Sequence, residues 1–190
     1  MKATYLYLFP AIWICYIIYW WIMATNIKSS IQVEPATSRI VRAITIITAF
    51  GLLYVPTFPI TFLNTRFLPS GYLFLCIGIA ITTGGLAFSI RARKLLGKNW
   101  SQAVTIKHDH QLVTNGPYAF VRHPIYTGFT LGFVGSSIAL GELRGLIATI
   151  LVLGVLLYKS RLEDQWLLKQ FGNSYAEYYR KVSALIPHIL

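Results

Sequence analysis

Long apolar runs alternate with polar blocks along this chain. Residues 3–25 carry no charged side chain, and neither do 43–63 or 72–90. At 1.5 Å per residue the first run makes about 34 Å of helix, enough to cross a hydrocarbon core of about 30 Å. It outruns the apolar region of a cleaved signal peptide, roughly 7–15 residues, and no small-residue cleavage site follows it, so it reads as a retained span. Pro56 and Pro59 kink or end the second run. The third is rich in small residues, Gly78, Thr82, Gly84, Gly85 and Ser89, which let helices approach closely in lipid. Residues 125–158 are apolar again, but one helix of that length would reach about 51 Å. GELRG at 141–145 divides the run into a helical hairpin with arms 125–140 and 145–160, the second continuing past Tyr158 into water. Gly128 and Gly132 give the first arm a G-x-x-x-G face.

The polar blocks are 26–42, 64–71, 91–124 and the tail 159–190. In the tail, Gly172 suits a helix end, and Ser174-x-x-Glu177 reads as a capping box opening a short amphipathic helix. Tyr175, Tyr178, Tyr179 and Val182 form its apolar, interfacial side, and Pro187 ends it. The pattern predicts an all-α integral membrane protein, one domain over 1–190, with about five transmembrane helices of which the last two form the hairpin.

Composition agrees: 55% of residues are hydrophobic and 12% charged, against roughly 45–50% and 25% in soluble domains. The 190 residues leave no room for a separate soluble catalytic domain of about 100–150 residues, so any chemistry is built into the membrane part. A net charge of +11 raises nucleic acid as a partner, but its distribution points to topology. On a five-span reading, the N-terminus, the 64–71 loop and the 141–145 turn hold three cations, Lys2, Arg66 and Arg144, and the other side holds fourteen. Lys and Arg collect in cytoplasmic loops, so the N-terminus is expected outside and both long polar blocks and the C-terminus in the cytoplasm. The membrane would be a prokaryotic inner membrane or the endoplasmic reticulum. Cys15 and Cys76 lie inside apolar runs and read as small core hydrophobes. His108-Asp109-His110 supplies too few ligands at that spacing for a metal, and none is expected.

Polar functional groups concentrate in 91–124 and the start of the tail, which share a side. Within HQLVTNGPYAFVRHPIYTGF, Gly116-Pro117 and His123-Pro124 restrict the backbone just before a membrane helix. Such a segment can present amide and carbonyl groups to a polar ligand, or be a turn followed by a helix with Pro in its first turn. Lys159 and Glu163, spaced i, i+4, read by themselves as an exposed ion pair. Asp164 reads as solvated and Glu177 as a cap. Arg122 reads as a topological or snorkelling cation whose place among these residues suggests a structural role.

The string H-x-L-V-T-x-G-P-Y-x-x-V-R-H-P-x-Y-x-G from His110 to Gly128 resembles the signature of the isoprenylcysteine carboxyl methyltransferase and phospholipid methyltransferase superfamily. The tail is similar to that family's C-terminal pattern, with K-x-x-x-E-D from Lys159 to Asp164 and then FGNSYAEYYRKVSALIP. Together the two blocks cover about the last hundred residues. The resemblance implies an integral-membrane enzyme that uses S-adenosylmethionine, held on the cytoplasmic side by 91–128 and 159–190. Carried over by position, the cofactor contacts would be His110, Gln111, Leu112, Val113, Tyr118, His123, Pro124, Ile125, Tyr126 and Glu163. A further family contact, often Gln before the H-x-L-V block, has no clear match; Gln102 and Thr105 are the candidates. The family usually carries Arg four residues before the Glu; here Lys159 takes that place with Arg161 nearby, and both are candidates to contact the substrate.

An ionised carboxylate acceptor needs no general base, so Lys159 could position it while Glu163 pairs with the cofactor's amino group. An amine acceptor has to lose a proton, to His123 or Glu163. The resemblance favours O-methylation of an isoprenylcysteine-type carboxylate on a lipophilic or lipidated substrate, with membrane lipid but no nucleic acid as partner. The alternatives are a phospholipid amine N-methyltransferase, a sterol-type membrane reductase using NADPH, and a non-catalytic lipid-binding protein. Uncharged spans weaken a transporter reading.

Overall fold

The computed structural model describes residues 2–24, 30–56, 59–97, 105–107, 112–187 and 189. Six helices are built from them: α1 Lys2–Met23, α2 Ala36–Tyr54, α3 Tyr72–Leu96, α4 Pro124–Leu140, α5 Leu143–Phe171 and α6 Asn173–Lys181. Helices α1, α2, α3 and α5 are long and apolar enough to cross a membrane, and α4 is a shorter apolar helix of 17 residues. The polar blocks 26–42 and 91–124 each contribute a short strand, β1 Ser30–Val33 and β2 Thr105–Lys107, which pair antiparallel.

The helix boundaries correct the sequence reading in two places. The second span runs over 36–54 rather than 43–63, because it starts directly after Pro35 and stops before Pro56. Its polar first turns therefore belong to the helix and carry Arg39 and Arg42. The third helix continues six residues past 90, to a C-terminus where Gly97 takes φ +55°, a conformation that favours glycine. Arg93 closes two helix ends by donating to the Met23 and Gly97 carbonyls, both at 2.7 Å.

One face of α1 supplies much of the core, with Tyr5, Phe9, Trp13 and Tyr16 buried at helical spacing. The Trp13 ring packs on Phe50 of α2 and on Phe129 and Phe133 of α4, at centroid distances of 5.0–5.2 Å. Its indole N–H donates to Ser136 Oγ at 3.1 Å, a partner it needs where water is absent.

Helices α3 and α4 meet backbone to backbone. Gly78, Thr82, Gly85 and Ser89 are buried against the α4 face of Gly128, Gly132 and Gly135. A Cβ on Gly78 would lie 2.5 Å from the Gly135 carbonyl oxygen, and one on Gly128 would strike the Gly85 oxygen. Gly84 is off this seam and faces open space, since it sits one position from the buried face. Cys15 and Cys76 are likewise exposed rather than in the core, because both lie on the outward sides of α1 and α3.

Candidate active site

At one end of the bundle the 112–123 segment packs against α3 and leads into α4. Gly116, at φ +58°, opens a 3-10 turn, Gly116–Ala119, that buries Pro117 and Tyr118. His123 is the N-cap of α4 and Pro124 its first residue, where the missing N–H costs nothing. The chain beyond α6 clamps this segment. The Arg122 and His123 amides donate to the Ser183 and Ala184 carbonyls at 2.8 and 2.9 Å, and Thr127 Oγ1 donates to the Leu185 carbonyl at 2.7 Å. Leu185 is buried in the core. Helix α6 therefore ends at Lys181, well before Pro187, because the following residues are extended against the loop.

Asp164 on α5 is the organising acceptor. Arg122 Nη2 reaches its Oδ2 at 3.0 Å, His123 Nε2 lies 2.8 Å from its Oδ1, and the Tyr175 hydroxyl of α6 donates to the same oxygen. Arg122 also donates to the carbonyls of Tyr179 and Val182, and its guanidinium lies 3.9 Å from the Tyr179 ring centroid. Asp164 is thus buried, not solvated, and Arg122 ties α5, α6 and the loop together. The face of α6 expected at the lipid interface docks here instead: Tyr175 is buried, and the Tyr178 hydroxyl donates to the Tyr118 carbonyl at 2.6 Å. The expected capping box is absent, since α6 has no side-chain cap and Glu177 is exposed. Burial and the neighbouring Asp164 carboxylate hold the Tyr175 phenol protonated by pushing its pKa up.

Glu163, one residue earlier, faces the reactive side. His123 Nδ1 lies 3.3 Å from Glu163 Oε2, the Tyr126 hydroxyl donates to Oε1, and Lys159 Nζ is 3.7 Å from Oε1. The His123 and Tyr126 rings stack at 5.4 Å with 3° between their planes, and Lys159 Nζ sits 5.0 Å from the Tyr126 centroid. Lys159 and Glu163 are therefore not an exposed pair: their side chains are 8% and 20% accessible. Burial opposes a charge on His123, but hydrogen bonds to Asp164 and Glu163 outweigh it and raise its pKa above 6.5. A carboxylate faces each of its nitrogens, so both are engaged within the cluster.

Helix α2 contributes Arg42, which pairs with Glu34 just ahead of the helix. Arg42 is held by Glu34 through Nη2 to Oε1 at 2.5 Å and Nη1 to Oε2 at 3.0 Å, and Glu34 is buried. Both lie near enough to Lys159 to act on it electrostatically, and Arg42 acts on Glu163 in the same way. Neither was legible as a site residue, because a polar stretch between two spans carries no spacing signal. Asp164 could have been suspected only from its place beside Glu163.

The structure brings Tyr118, His123, Tyr126, Lys159 and Glu163 together, with Pro124 buried and Ile125 half-buried beside them. Leu112 and Val113 are half-buried in the approach to the turn. Arg161 is exposed on α5, off the cluster. His110, Gln111, Gln102 and the His108-Asp109 pair lie outside the described residues, and Thr105 is described only as part of β2.

Fold and site define a helical integral-membrane protein with a buried, charged cluster at one end of its spans. The chain belongs to the phospholipid methyltransferase family, whose model matches residues 73–174. It is 34% identical over 138 residues to a protein-S-isoprenylcysteine O-methyltransferase of Schizosaccharomyces pombe, a match covering 70% of this chain and 55% of the relative. It is 35% identical over 96 residues to the Saccharomyces cerevisiae protein of the same name, covering 49% of this chain and 40% of that one. The chain thus spans about half the length of the curated relatives it matches. A solved structure of the eukaryotic intramembrane Ras methyltransferase, an isoprenylcysteine carboxyl methyltransferase, aligns with a TM-score of 0.45 at 24% identity, covering 83% of this chain and 55% of that one.

Proposed function

We propose that the protein is an S-adenosylmethionine-dependent methyltransferase that O-methylates a lipophilic carboxylate of the isoprenylcysteine type. The observation that carries the reading is the convergence of Lys159, Glu163, His123 and Tyr126 in one buried cluster where the spans end. These residues fit the cofactor: Glu163 offers a partly accessible carboxylate beside the Tyr126 ring, a setting suited to a sulfonium or ammonium. Glu163, Tyr118, Tyr126 and the 110–113 stretch would hold it, and when bound it supplies an electrophilic methyl group.

What the chain's own residues do favours a carboxylate over an amine acceptor. Lys159 can hold an anion in line with the methyl, and burial strengthens that attraction. No base is required. An amine has to shed a proton, and both nitrogens of His123 already face carboxylates. The His123 ring instead holds Glu163 through Nδ1, leaving positioning and exclusion of water as the sources of rate.

Charge asymmetry supports the orientation with the cluster on the cytoplasmic side and the N-terminus outside. The test is calorimetric titration of the purified protein with S-adenosylhomocysteine and, separately, NADPH, followed by labelled methyl transfer to a farnesylated N-acetylcysteine and to phosphatidylethanolamine. The expected result is binding of the first ligand alone, weakened about tenfold or more in Glu163→Gln, and methylation of the carboxylate substrate. Lys159→Met should raise the KM for that substrate about tenfold or more. NADPH binding, or methylation of the amine alone, would overturn the reading.

A further inference from the structure

At the far end of the spans, α5 begins in a second charged cluster. Among the described residues, Arg66 and Arg144 gather at one place there. Arg144 has a structural use: it bonds Glu142 at 2.7 Å and donates to the Leu52 and Val55 carbonyls at the end of α2. Glu142 thereby spends its charge on Arg144. Arg66 is different. Its Nε donates to the Leu68 carbonyl at 3.0 Å, while among the described residues its terminal nitrogens have only a long 3.9 Å contact with Glu142, and its side chain is 34% accessible.

The position of Arg66 is nonetheless built. Phe67 N–H donates to the Gly141 carbonyl and Leu143 N–H to the Thr65 carbonyl, both at 2.9 Å, which pins the loop to the α4–α5 turn. Gly141 takes φ +68°, and a Cβ there would lie 2.5 Å from Arg66 Nη2, so the turn leaves room for the guanidinium. Arg66 lines a cleft with Ser70, and Leu6, Phe74, Leu75 and Leu140 supply apolar walls. A rigidly placed cation with unspent donors, beside a hydroxyl and above an apolar groove, complements an amphiphile with an anionic head and an aliphatic tail.

We propose that this cleft binds a membrane phospholipid in the leaflet opposite the candidate active site, with Arg66 and Ser70 on its phosphate and the tail against the apolar walls. The site is independent of the methyltransferase reading. The test is native mass spectrometry of the full chain titrated with phosphatidylglycerol, with diacylglycerol, which has the tails but no phosphate, and with inorganic phosphate, which has no tail. One phosphatidylglycerol should remain bound at the highest collision energies, and neither control should. Arg66→Ala should weaken that molecule's binding about tenfold and Arg66→Lys less. Lys169→Ala, which removes an exposed charge at the other end of α5, should leave it unchanged.

Equal retention in Arg66→Ala, loss in Lys169→Ala, or saturation by either control overturns the proposal. S-adenosylhomocysteine titration of each variant reads the distant site separately. Should that ligand not bind even the unaltered protein, a common thermal unfolding midpoint would show that the variants are folded.

Discussion

Asp164 satisfies three donor residues from two segments, Arg122 and His123 of the loop and Tyr175 of α6, and only His123 has a second acid, Glu163, within reach. Asp164→Ala should cost about 3 kcal/mol or more, because it strands the buried Arg122 guanidinium and leaves His123 Nε2 and the Tyr175 hydroxyl without their acceptor. A thermal unfolding midpoint close to that of the unaltered protein would contradict this. The same contacts set a pH dependence. His123 has a folded-state pKa raised above 6.5 by its two carboxylate partners, so its contribution to stability is fully present below that value. It is lost as pH rises through the raised value. Melting temperature should therefore fall as pH rises on the alkaline side of 6.5, and His123→Gln should flatten that slope; an equal slope in the variant would exclude His123 as its source.

Among the elements, the α3–α4 seam is the least tolerant of added volume. Gly128→Ala would drive a methyl into the Gly85 carbonyl and the Ser89 Cβ, whereas Gly84→Ala meets nothing within 4 Å. The first should cost about 1–3 kcal/mol by overpacking and the second should lie within about 0.5 kcal/mol of the unaltered protein. Their melting temperatures in detergent would show the contrast, and equal shifts would mean the seam is looser than described. The tail beyond α6 is a second such element. Deleting residues from 183 onward removes the acceptors for the Arg122 and His123 amides, so hydrogen exchange at those amides should speed up strongly, with S-adenosylhomocysteine binding weakened in parallel. Unchanged protection would mean that the loop holds its shape unaided.

At the scale of the whole molecule, the two ends of the bundle are chemically unlike. Among the described residues one gathers the clusters around Asp164 and Glu163 and the other the Arg66, Glu142 and Arg144 cluster, and in the sequence the polar blocks assigned to the first side carry fourteen of the seventeen cations. The topology that follows predicts a C-terminal tag accessible to protease from the cytoplasm and an N-terminal tag accessible only from outside, and the reverse pattern would refute it. The bounds of the second helix were not legible in the sequence, but the presence of the apolar helices, the hairpin at 141–145 and the small-residue seam apart from Gly84 were, since each is written in local hydrophobic spacing or in the size of a side chain. The same is true of the paired blocks around His123 and Glu163, whose residue types identify them without coordinates. What local pattern could not decide is which polar groups meet. Asp164, taken alone, is one more acid at a helix end, and Glu34 and Arg42 are loop-like residues between two spans. Their roles arise only when α2, α5, α6 and the tail converge on the segment before α4. A buried charge is tolerable only where partners distant in sequence surround it, so the sequence determined the scaffold and the candidate chemistry, and tertiary packing alone decided the network that holds it in place.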